Sequence, residues 1–163
     1  MAACFFINPK KRKMNNLNYY YHTVEDAIAK LGLDPMVTRK QEGQWNLTKG
    51  TTPVWIDVFY NRSENRIYFQ VAAPVMKMPE MNPGKVALEL LELNNQLYGV
   101  AFVSNRGNIF IKTIREAEGL DVNEAHAMIL RVGNYANSFG KELKAKYPNW
   151  VPANFSENNI SSN

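Results

Sequence analysis

The sequence predicts an α+β domain, with a five-stranded antiparallel sheet that carries its helices mainly on one face, in the order α-β-β-β-α-β-β-α. Apolar residues recur at helical spacing in three segments and at alternate positions in two groups of shorter segments. Polar turns within each group are too short for the crossover that parallel strands need. Helices that interrupt antiparallel strands in this way are typical of an α+β fold.

The length and composition predict one domain without disulfide bonds. The 163 residues are enough to bury a core, and the single cysteine, Cys4, excludes an internal disulfide. No run approaches the roughly 18 apolar residues of a membrane helix. We expect a flexible basic tail over 1–21, a single α+β domain over 22–147 and a flexible tail over 148–163. The expected location is the cytoplasm, with no membrane partner.

The first predicted helix starts at Thr23, which is placed to cap the N-terminus with Asp26 as its reciprocal carboxylate. Gly32 follows the last apolar position, where a left-handed residue ends a helix, and Pro35 prevents continuation. The apolar stripe between them consists of Val24, Ala27, Ile28 and Leu31. This pattern indicates a short amphipathic helix.

The period changes to two after residue 43, which predicts a three-stranded meander. Trp45 and Leu47 alternate with polar neighbours in the first strand. The loop "NRSEN" joins the other two strands. Their inward positions are Val54, Ile56, Val58 and Tyr60, followed by Ile67, Phe69 and Val71.

A second helix and a hairpin follow a Met-bearing linker. Asn82 and Pro83 form a cap and a first helical residue, and Val86, Leu90, Leu93 and Leu97 form the stripe. "LYGVAFVSNRGNIFIKT" then reads as two strands around a polar break, with a glycine where a tight turn needs positive φ. We expect strands over 100–104 and 109–114, joined by an exposed turn at Arg106 and Gly107.

The last predicted helix starts at Asp121, with Glu124 as its capping partner, and ends before Pro148. Its apolar stripe is Ala125, Met128, Ile129, Val132, Ala136, Phe139 and Leu143. Within it Gly133, Ala136 and Gly140 recur along one side. These small residues cost helix propensity and indicate that another backbone comes close. That backbone belongs either to the protein's own sheet or to a second copy at a dimer contact.

The charge distribution argues against nucleic-acid binding by the domain. Lys10, Lys11, Arg12 and Lys13 account for four of the 19 basic residues, and the other 15 match the 15 acidic ones. Binding to phosphate depends on clustered Lys and Arg, which a neutral surface lacks. The "KKRK" tail is either a solvated tail or a patch for polyanions, and Met14 raises the possibility that the first thirteen residues are an upstream extension.

The sequence carries no recognisable catalytic or metal-binding set. Cys4, His22 and His126 are far apart and fit no zinc spacing or catalytic trio, and no phosphate-binding loop occurs. We therefore predict no catalytic residue, no cofactor, no metal and no enzymatic activity. The alternative is a small-ligand-binding protein or enzyme with a pocket between helix and sheet. Its mark is a deep pocket that holds a buried Asp57, Arg or Tyr.

Asp57 is the one acidic residue inside a predicted strand. It lies between Trp55 and Phe59. Its carboxylate either faces water on the open face of the sheet, which is the preferred interpretation, or is buried and paired with an Arg or Lys.

Two groups of residues are candidates for binding a partner. Met76, Met78 and Met81 crowd the linker, and flexible thioethers suit adaptable apolar surfaces, although Met also fills cores. The second group comprises the aromatic residues expected on the opposite sheet face: Trp55, Phe59 and Tyr68. An exposed aromatic patch of this kind needs a partner.

Three stretches of the sequence, with the element order, carry a family resemblance: "DVFYNRSENRIYFQVAAPVMKMP", "ALELLELNNQLYGVAFVSNRGNIFIKTI" and the capped final helix. Over residues 22–146 the chain resembles class I type III secretion chaperones and, more closely, YbjN-like bacterial sensory-transduction-regulator domains. The resemblance implies a non-enzymatic, often homodimeric module that binds protein segments or serves in regulation. Secretion chaperones are typically acidic, whereas this core is neutral, so the resemblance transfers neither the secretion role nor any functional residue.

Overall fold

The computed structural model describes residues 9–147 and 151–153, with side chains from residue 17 onward. The elements are α1 Pro9–Lys30, α2 Pro35–Thr38, β1 Arg39–Gln41, β2 Gln44–Lys49, β3 Thr52–Asn61, β4 Arg66–Lys77, α3 Pro83–Asn94, β5 Ala101–Asn105, β6 Asn108–Glu116 and α4 Val122–Lys146. The strands form one antiparallel sheet in the order β1-β2-β3-β4-β6-β5. The prediction of an α+β fold is confirmed.

The prediction of five strands is wrong, because the sheet has six. The additional strand, β1, pairs Arg39 with Trp45 of β2 and shifts register before Gln41. Its three residues are polar and too few to show an alternating pattern. The short helix α2, which precedes it, was also missed, although Asp34 caps it by accepting a hydrogen bond from the Met36 N–H at 2.8 Å.

Helix α1 begins 14 residues before the predicted start at Thr23. The Thr23 hydroxyl does not cap a terminus, since it donates a hydrogen bond to the Tyr19 carbonyl at 3.0 Å, one turn back in the same helix. Residues 9–21, predicted as part of a flexible tail, are therefore helical. The basic side chains at 10–13 and the predicted tails at 1–8, 148–150 and 154–163 lie outside the described residues.

The chain divides into two compact units. The first comprises Met1–Asn46, Ile56–Gln70 and Ile114–Ala127. Its buried side chains include Val24, Ile28, Trp45, Ile56 and Phe69. In this unit the ring of Tyr21 meets Trp45 edge-on, with ring centroids 6.0 Å apart. A Cβ at Gly43, which has φ of 75°, would stand 2.6 Å from the Val58 carbonyl oxygen, so this turn requires glycine.

The second unit comprises Leu47–Trp55, Val71–Thr113 and Met128–Asn163. Its buried side chains include Met76, Val86, Leu90, Ile111, Ile129 and Val132. Within α3 the two buried residues, Val86 and Leu90, are one turn apart and form the inward face of that helix.

Strand β3 departs from the predicted alternation, because all residues from Val54 to Val58 are buried. Asp57 is thus buried, contrary to the preferred interpretation, and its Oδ2 accepts a hydrogen bond from Gln70 Nε2 at 3.3 Å. A buried carboxylate needs such partners to offset its desolvation. A central strand that is covered on both faces usually has a continuous run of apolar residues. In this strand Asp57 interrupts the run, so the sequence did not indicate that both faces are covered.

The predicted hairpin is confirmed as β5 and β6. Phe102 lies opposite Ile111 and Asn105 opposite Asn108. Arg106 and Gly107 form the exposed turn, with φ of 49° and 75°. The hairpin is part of the sheet.

A side chain of α3 occupies one position on the outer edge of β5. Asn94 Oδ1 accepts a hydrogen bond from the Phe102 N–H at 2.6 Å, and Asn94 Nδ2 donates one to the Phe102 carbonyl at 3.4 Å. The amide therefore satisfies both backbone groups that a neighbouring strand would otherwise satisfy.

Replacement of Asn94 by Ala leaves the N–H and carbonyl of Phe102 without these partners. We expect the free energy of unfolding, measured by urea denaturation, to fall by about 1–3 kcal/mol. Asn95→Ala is the matched control, because that exposed side chain belongs to the residue directly after the helix. Equal stability of the two variants would contradict the proposed role of the Asn94 amide.

Candidate functional site

A cleft of about 900 Å³ opens in the second unit beside the linker between β4 and α3. We call it the linker cleft. It is lined by Lys77, Met78, Pro79, Glu80, Met81, Asn82, Lys85, Val86, Glu89, Lys146, Tyr147 and Val151. Its volume is in the range of pockets that bind small molecules.

Backbone hydrogen bonds fix the start of the linker. The Lys77 N–H donates to the Val151 carbonyl at 3.0 Å, and the Met78 N–H donates to the Gly107 carbonyl at 2.7 Å. At the other end Asn82 adopts a left-handed backbone with φ of 52° and Pro83 begins α3. The predicted helix start is confirmed, but Asn82 makes no side-chain cap hydrogen bond.

A carboxylate connects the two helices that border the cleft. Lys146 Nζ donates a hydrogen bond to Glu89 Oε1, and the Tyr147 hydroxyl donates one to Glu89 Oε2 at 2.7 Å. The hydrogen bond from Lys146 lowers the pKa of Glu89 below its usual value, and the one from Tyr147 adds to this effect. Burial and the hydrogen bond to Glu89 raise the pKa of Tyr147 to about 12. The carboxylate of Glu89 therefore stays ionised and the Tyr147 hydroxyl protonated across the neutral pH range.

The three methionines predicted to bind a partner have different positions. Met76 belongs to β4 and is fully buried in the core. Met78 is half-buried in the cleft, and Met81 is 74% exposed at its border. The linker thus begins at Met78, three residues later than the sequence indicated, and of the three methionines only Met78 and Met81 face the cleft. Whether any of the three binds a partner stays a prediction.

The aromatic residues predicted on the opposite sheet face do not share one exposed surface. Trp55 is buried in the second unit, with its ring centroid 6.0 Å from that of Phe110. Phe59 and Tyr68 belong to the first unit, where their half-buried rings stack with centroids 5.9 Å apart. Their role in partner binding stays a prediction.

Gly133 of α4 meets strands of its own unit, whereas a Cβ at Gly140 would meet no described atom within 4 Å. A Cβ at Gly133 would stand 3.0 Å from Lys49 Cβ and 3.3 Å from Val54 Cγ2. The close backbone predicted at Gly133 therefore belongs to the protein's own sheet. Ala136 is buried, and together with Gly140 it lines a groove of about 300 Å³ next to Pro152 and Ala153.

Helix α3 carries an apolar face that the sequence pattern did not reveal. Leu88 and Leu91 are 58% and 65% exposed, on the side of the helix opposite Val86 and Leu90. Tyr98, which follows the helix, is 77% exposed. The sequence shows leucines on both sides of this helix. It does not show whether both apolar faces are buried or one remains exposed, because the two cases have the same pattern of residues.

Comparison with protein families identifies the chain. Residues 20–147 match a family model described as "TY-Chap1: T3SS (YopN, CesT) and YbjN peptide-binding chaperone 1". The chain belongs to this family. It is therefore a peptide-binding module of the chaperone type, and the family predicted from the sequence is confirmed. No curated protein sequence matches the TY-Chap1 chain.

Solved structures share the fold at low sequence identity. A chain of the HopA1–SchA chaperone–effector complex is 15% identical, with a TM-score of 0.57 over 78% of this chain and 97% of that one. A chain of the ExsC–ExsE complex is 13% identical, with a TM-score of 0.56 over 77% and 93%. One from the heterodimeric ExoU–SpcU complex of the type III secretion system of Pseudomonas aeruginosa is 15% identical, with a TM-score of 0.50 over 72% and 94%.

Two further observations concern the described part of the TY-Chap1 chain alone. Within residues 9–147 and 151–153, no three His, Cys, Asp or Glu side chains form a group that could hold a metal ion. Over the same residues, no helix has the length and apolar character to cross a membrane.

Replacement of Glu89 by Gln removes a charged acceptor from Lys146 and Tyr147. We expect the free energy of unfolding to fall by about 1–3 kcal/mol near neutral pH. Because the pKa of Glu89 is lowered in the folded state, its contribution is present above the usual value of 4.5 and is lost as the pH falls through the lowered value. The stability difference between wild type and variant, measured by urea denaturation, should therefore shrink in acid.

Glu92→Gln is the control, since this exposed carboxylate stands on the same helix. If the effect of Glu89→Gln were as small as that of Glu92→Gln, or independent of pH, Glu89 would not connect the two helices. Tyr147→Phe removes one of the two hydrogen bonds and should have an intermediate effect.

Proposed function

We propose that this protein binds an extended segment of a partner polypeptide in the linker cleft and acts as a non-enzymatic, homodimeric chaperone-type module of the cytoplasm. The observation that carries the proposal is the cleft itself, in which Met78, Pro79 and Met81 offer apolar surface beside charged groups. Apolar pockets with a few polar groups at their border are the usual form of a binding site.

The family supports a peptide as the bound molecule. The family model describes peptide-binding chaperones, and one of the similar structures is that of a chaperone–effector complex. A peptide partner needs a surface that adapts to different side chains. The unbranched thioethers of Met78 and Met81 provide such a surface, because their rotamers change at little cost.

The walls of the cleft support binding at low entropic cost. The hydrogen bonds of Lys77 and Met78 hold the start of the linker, and Glu89 joins α3 to the end of α4. A site that is already ordered loses less conformational freedom on binding. The adaptable part is then limited to the side chains of Met78 and Met81.

The chemistry of the cleft supports a role in binding without catalysis. Glu89 is its inner carboxylate, and its lowered pKa makes it a weak base at neutral pH. The hydroxyl of Tyr147, with a pKa raised to about 12, is a weak acid. The single cysteine supports the cytoplasmic location, since the fold does not depend on oxidation.

The outward face of α3 supports self-association. Leu88 and Leu91 present apolar side chains on a helix whose backbone hydrogen bonds are already made within the helix. Such a face suits packing against another helix. In a dimer with two-fold symmetry, that helix is α3 of the second copy. An extended peptide on this surface would find no partners for its backbone N–H and carbonyl groups. A helix of a second copy has already paired these groups internally, so we expect a second copy to cover the surface.

Replacement of both Met78 and Met81 by Ser should weaken peptide binding. Phage display on the wild-type protein supplies short-peptide ligands, and fluorescence polarisation measures their dissociation constants. We expect these constants to rise about tenfold, because loss of contact with two thioethers costs about 1.4 kcal/mol or more.

Met36→Ser is the control for this experiment, because Met36 is an exposed methionine of the first unit. It should leave the dissociation constants unchanged. Peptides that bind the double variant as tightly as wild type would place binding outside the linker cleft. Met76 is left intact, because its burial makes it part of the core.

Replacement of Leu88 and Leu91 by Glu should dissociate the dimer. We expect wild type to sediment at about twice the mass of the 18.6 kDa chain at micromolar concentration, and the double variant at the mass of one chain. Both side chains are exposed in the single chain, so its fold tolerates the charges. Val37→Glu, at an exposed apolar residue of the first unit, should remain dimeric. A wild-type protein that sediments as a monomer would refute self-association.

A further inference from the structure

Two lysines at the border of the linker cleft point to the chemistry of its ligand. Lys77 ends β4, Lys85 lies in the first turn of α3, and both are exposed. Within the part of the chain that the structure describes, neither ammonium group forms an ion pair with a carboxylate. Lys85 acts on Glu89 only at longer range, where its charge helps to lower the pKa of that carboxyl.

The other charges of the cleft do not neutralise these two lysines. Lys146 and Glu89 are paired with each other. Glu80, on the exposed linker, is the remaining carboxylate among the lining residues, so the cleft carries one positive charge in excess. The groove of about 300 Å³ adds Lys141, and its lining contains no carboxylate.

The excess of positive charge at the cleft does not follow from the composition of the whole chain. Outside residues 10–13 the chain has as many acidic as basic residues, so an excess of lysines at one cleft is a local arrangement. The overall charge of +4 arises from the "KKRK" segment at the other end of the chain.

The helix dipole does not favour a lysine at position 85, and its place one turn before Glu89 gives it only a longer-range interaction with that carboxylate. The N-terminal turn of a helix favours acidic side chains, because the helix dipole places positive charge there, and α3 has no acidic residue in that turn. Lys144 and Lys146, by contrast, lie in the last turn of α4, where the dipole favours a positive charge. Lys77 and Lys85 are therefore the cationic groups of the cleft that a ligand is most free to pair with.

We infer that the segment bound in the linker cleft is acidic, with an apolar side chain between Met78 and Met81 and a neighbouring Asp or Glu facing Lys77 and Lys85. This inference rests on the proposed function, which places a polypeptide in the cleft. It narrows the ligand from any peptide to one that combines an apolar anchor with negative charge. Electrostatic complementarity of this kind adds more to specificity than to affinity.

The test compares three labelled peptides that share one apolar residue and differ only in charge. The flanking residues are Asp and Glu in the first, Asn and Gln in the second, and Lys in the third. Fluorescence polarisation should give about fivefold to tenfold tighter binding of the acidic peptide than of the amide peptide, as expected for two partly exposed ion pairs. The preference should decline as salt is added.

Variants of the two lysines test whether the preference for the acidic peptide arises at the cleft. Lys77→Gln with Lys85→Gln should abolish it, and Lys77→Glu with Lys85→Glu should make the lysine peptide the better ligand. Lys40→Glu, at an exposed lysine of the first unit, is the matched control and should change nothing. Circular dichroism verifies that each variant is folded before its binding is measured.

The outcomes separate this inference from the proposed function. If the acidic and amide peptides bind equally and both lose affinity when Met78 and Met81 become Ser, the acidic preference is wrong and the peptide site stands. If none of the peptides binds, nor any selected by display, the proposed function fails. If a single-stranded oligonucleotide of the same charge binds as tightly as the acidic peptide, the inference is overturned in favour of general anion binding.

Discussion

The carboxylate of Glu89 is the interaction on which the candidate site depends. It accepts hydrogen bonds from Lys146 and Tyr147 and so ties the last turn of α4 to α3 across 57 residues of sequence. Without it, the end of α4 would be free to move away from the linker, and the cleft would lose one wall. Because the group is partly shielded from water, the charge-assisted hydrogen bonds are stronger there than at an open surface. Because the walls of the cleft are fixed, the side chains that can adapt to a ligand are the methionines of the linker.

Local sequence patterns predicted those parts of the fold that depend on the residues of a single segment. The turn at Arg106 and Gly107 was found because a glycine with positive φ stands between two β-rich runs. The start of α4 was predicted from an Asp followed three residues later by a Glu, and in the structure Asp121 accepts a hydrogen bond from the Glu124 N–H at 2.9 Å. Thr23 misled the prediction, since the same residue type that caps a helix also bonds to the carbonyl one turn back within a helix.

The candidate site was predicted only in part, because it depends on contacts between distant residues. The methionines drew attention to the linker, but the sequence did not indicate that β4 continues through Met76 and buries it. Nor did it indicate that Glu89 meets Lys146, or that Leu88 and Leu91 remain uncovered. Asp57 shows the same difficulty in the sheet, since its burial depends on layers that no alternation within one strand records.

The side-chain amide of Asn94 has a consequence for a protein of a peptide-binding family. An open strand at the border of a sheet is a template on which an extended client is incorporated as another strand, and the product offers a new open strand to the next molecule. Asn94 occupies the backbone groups of Phe102, so an incoming strand cannot pair with this residue of β5 unless it displaces the amide. One side chain thereby reduces the backbone that this border of the sheet offers to another extended chain.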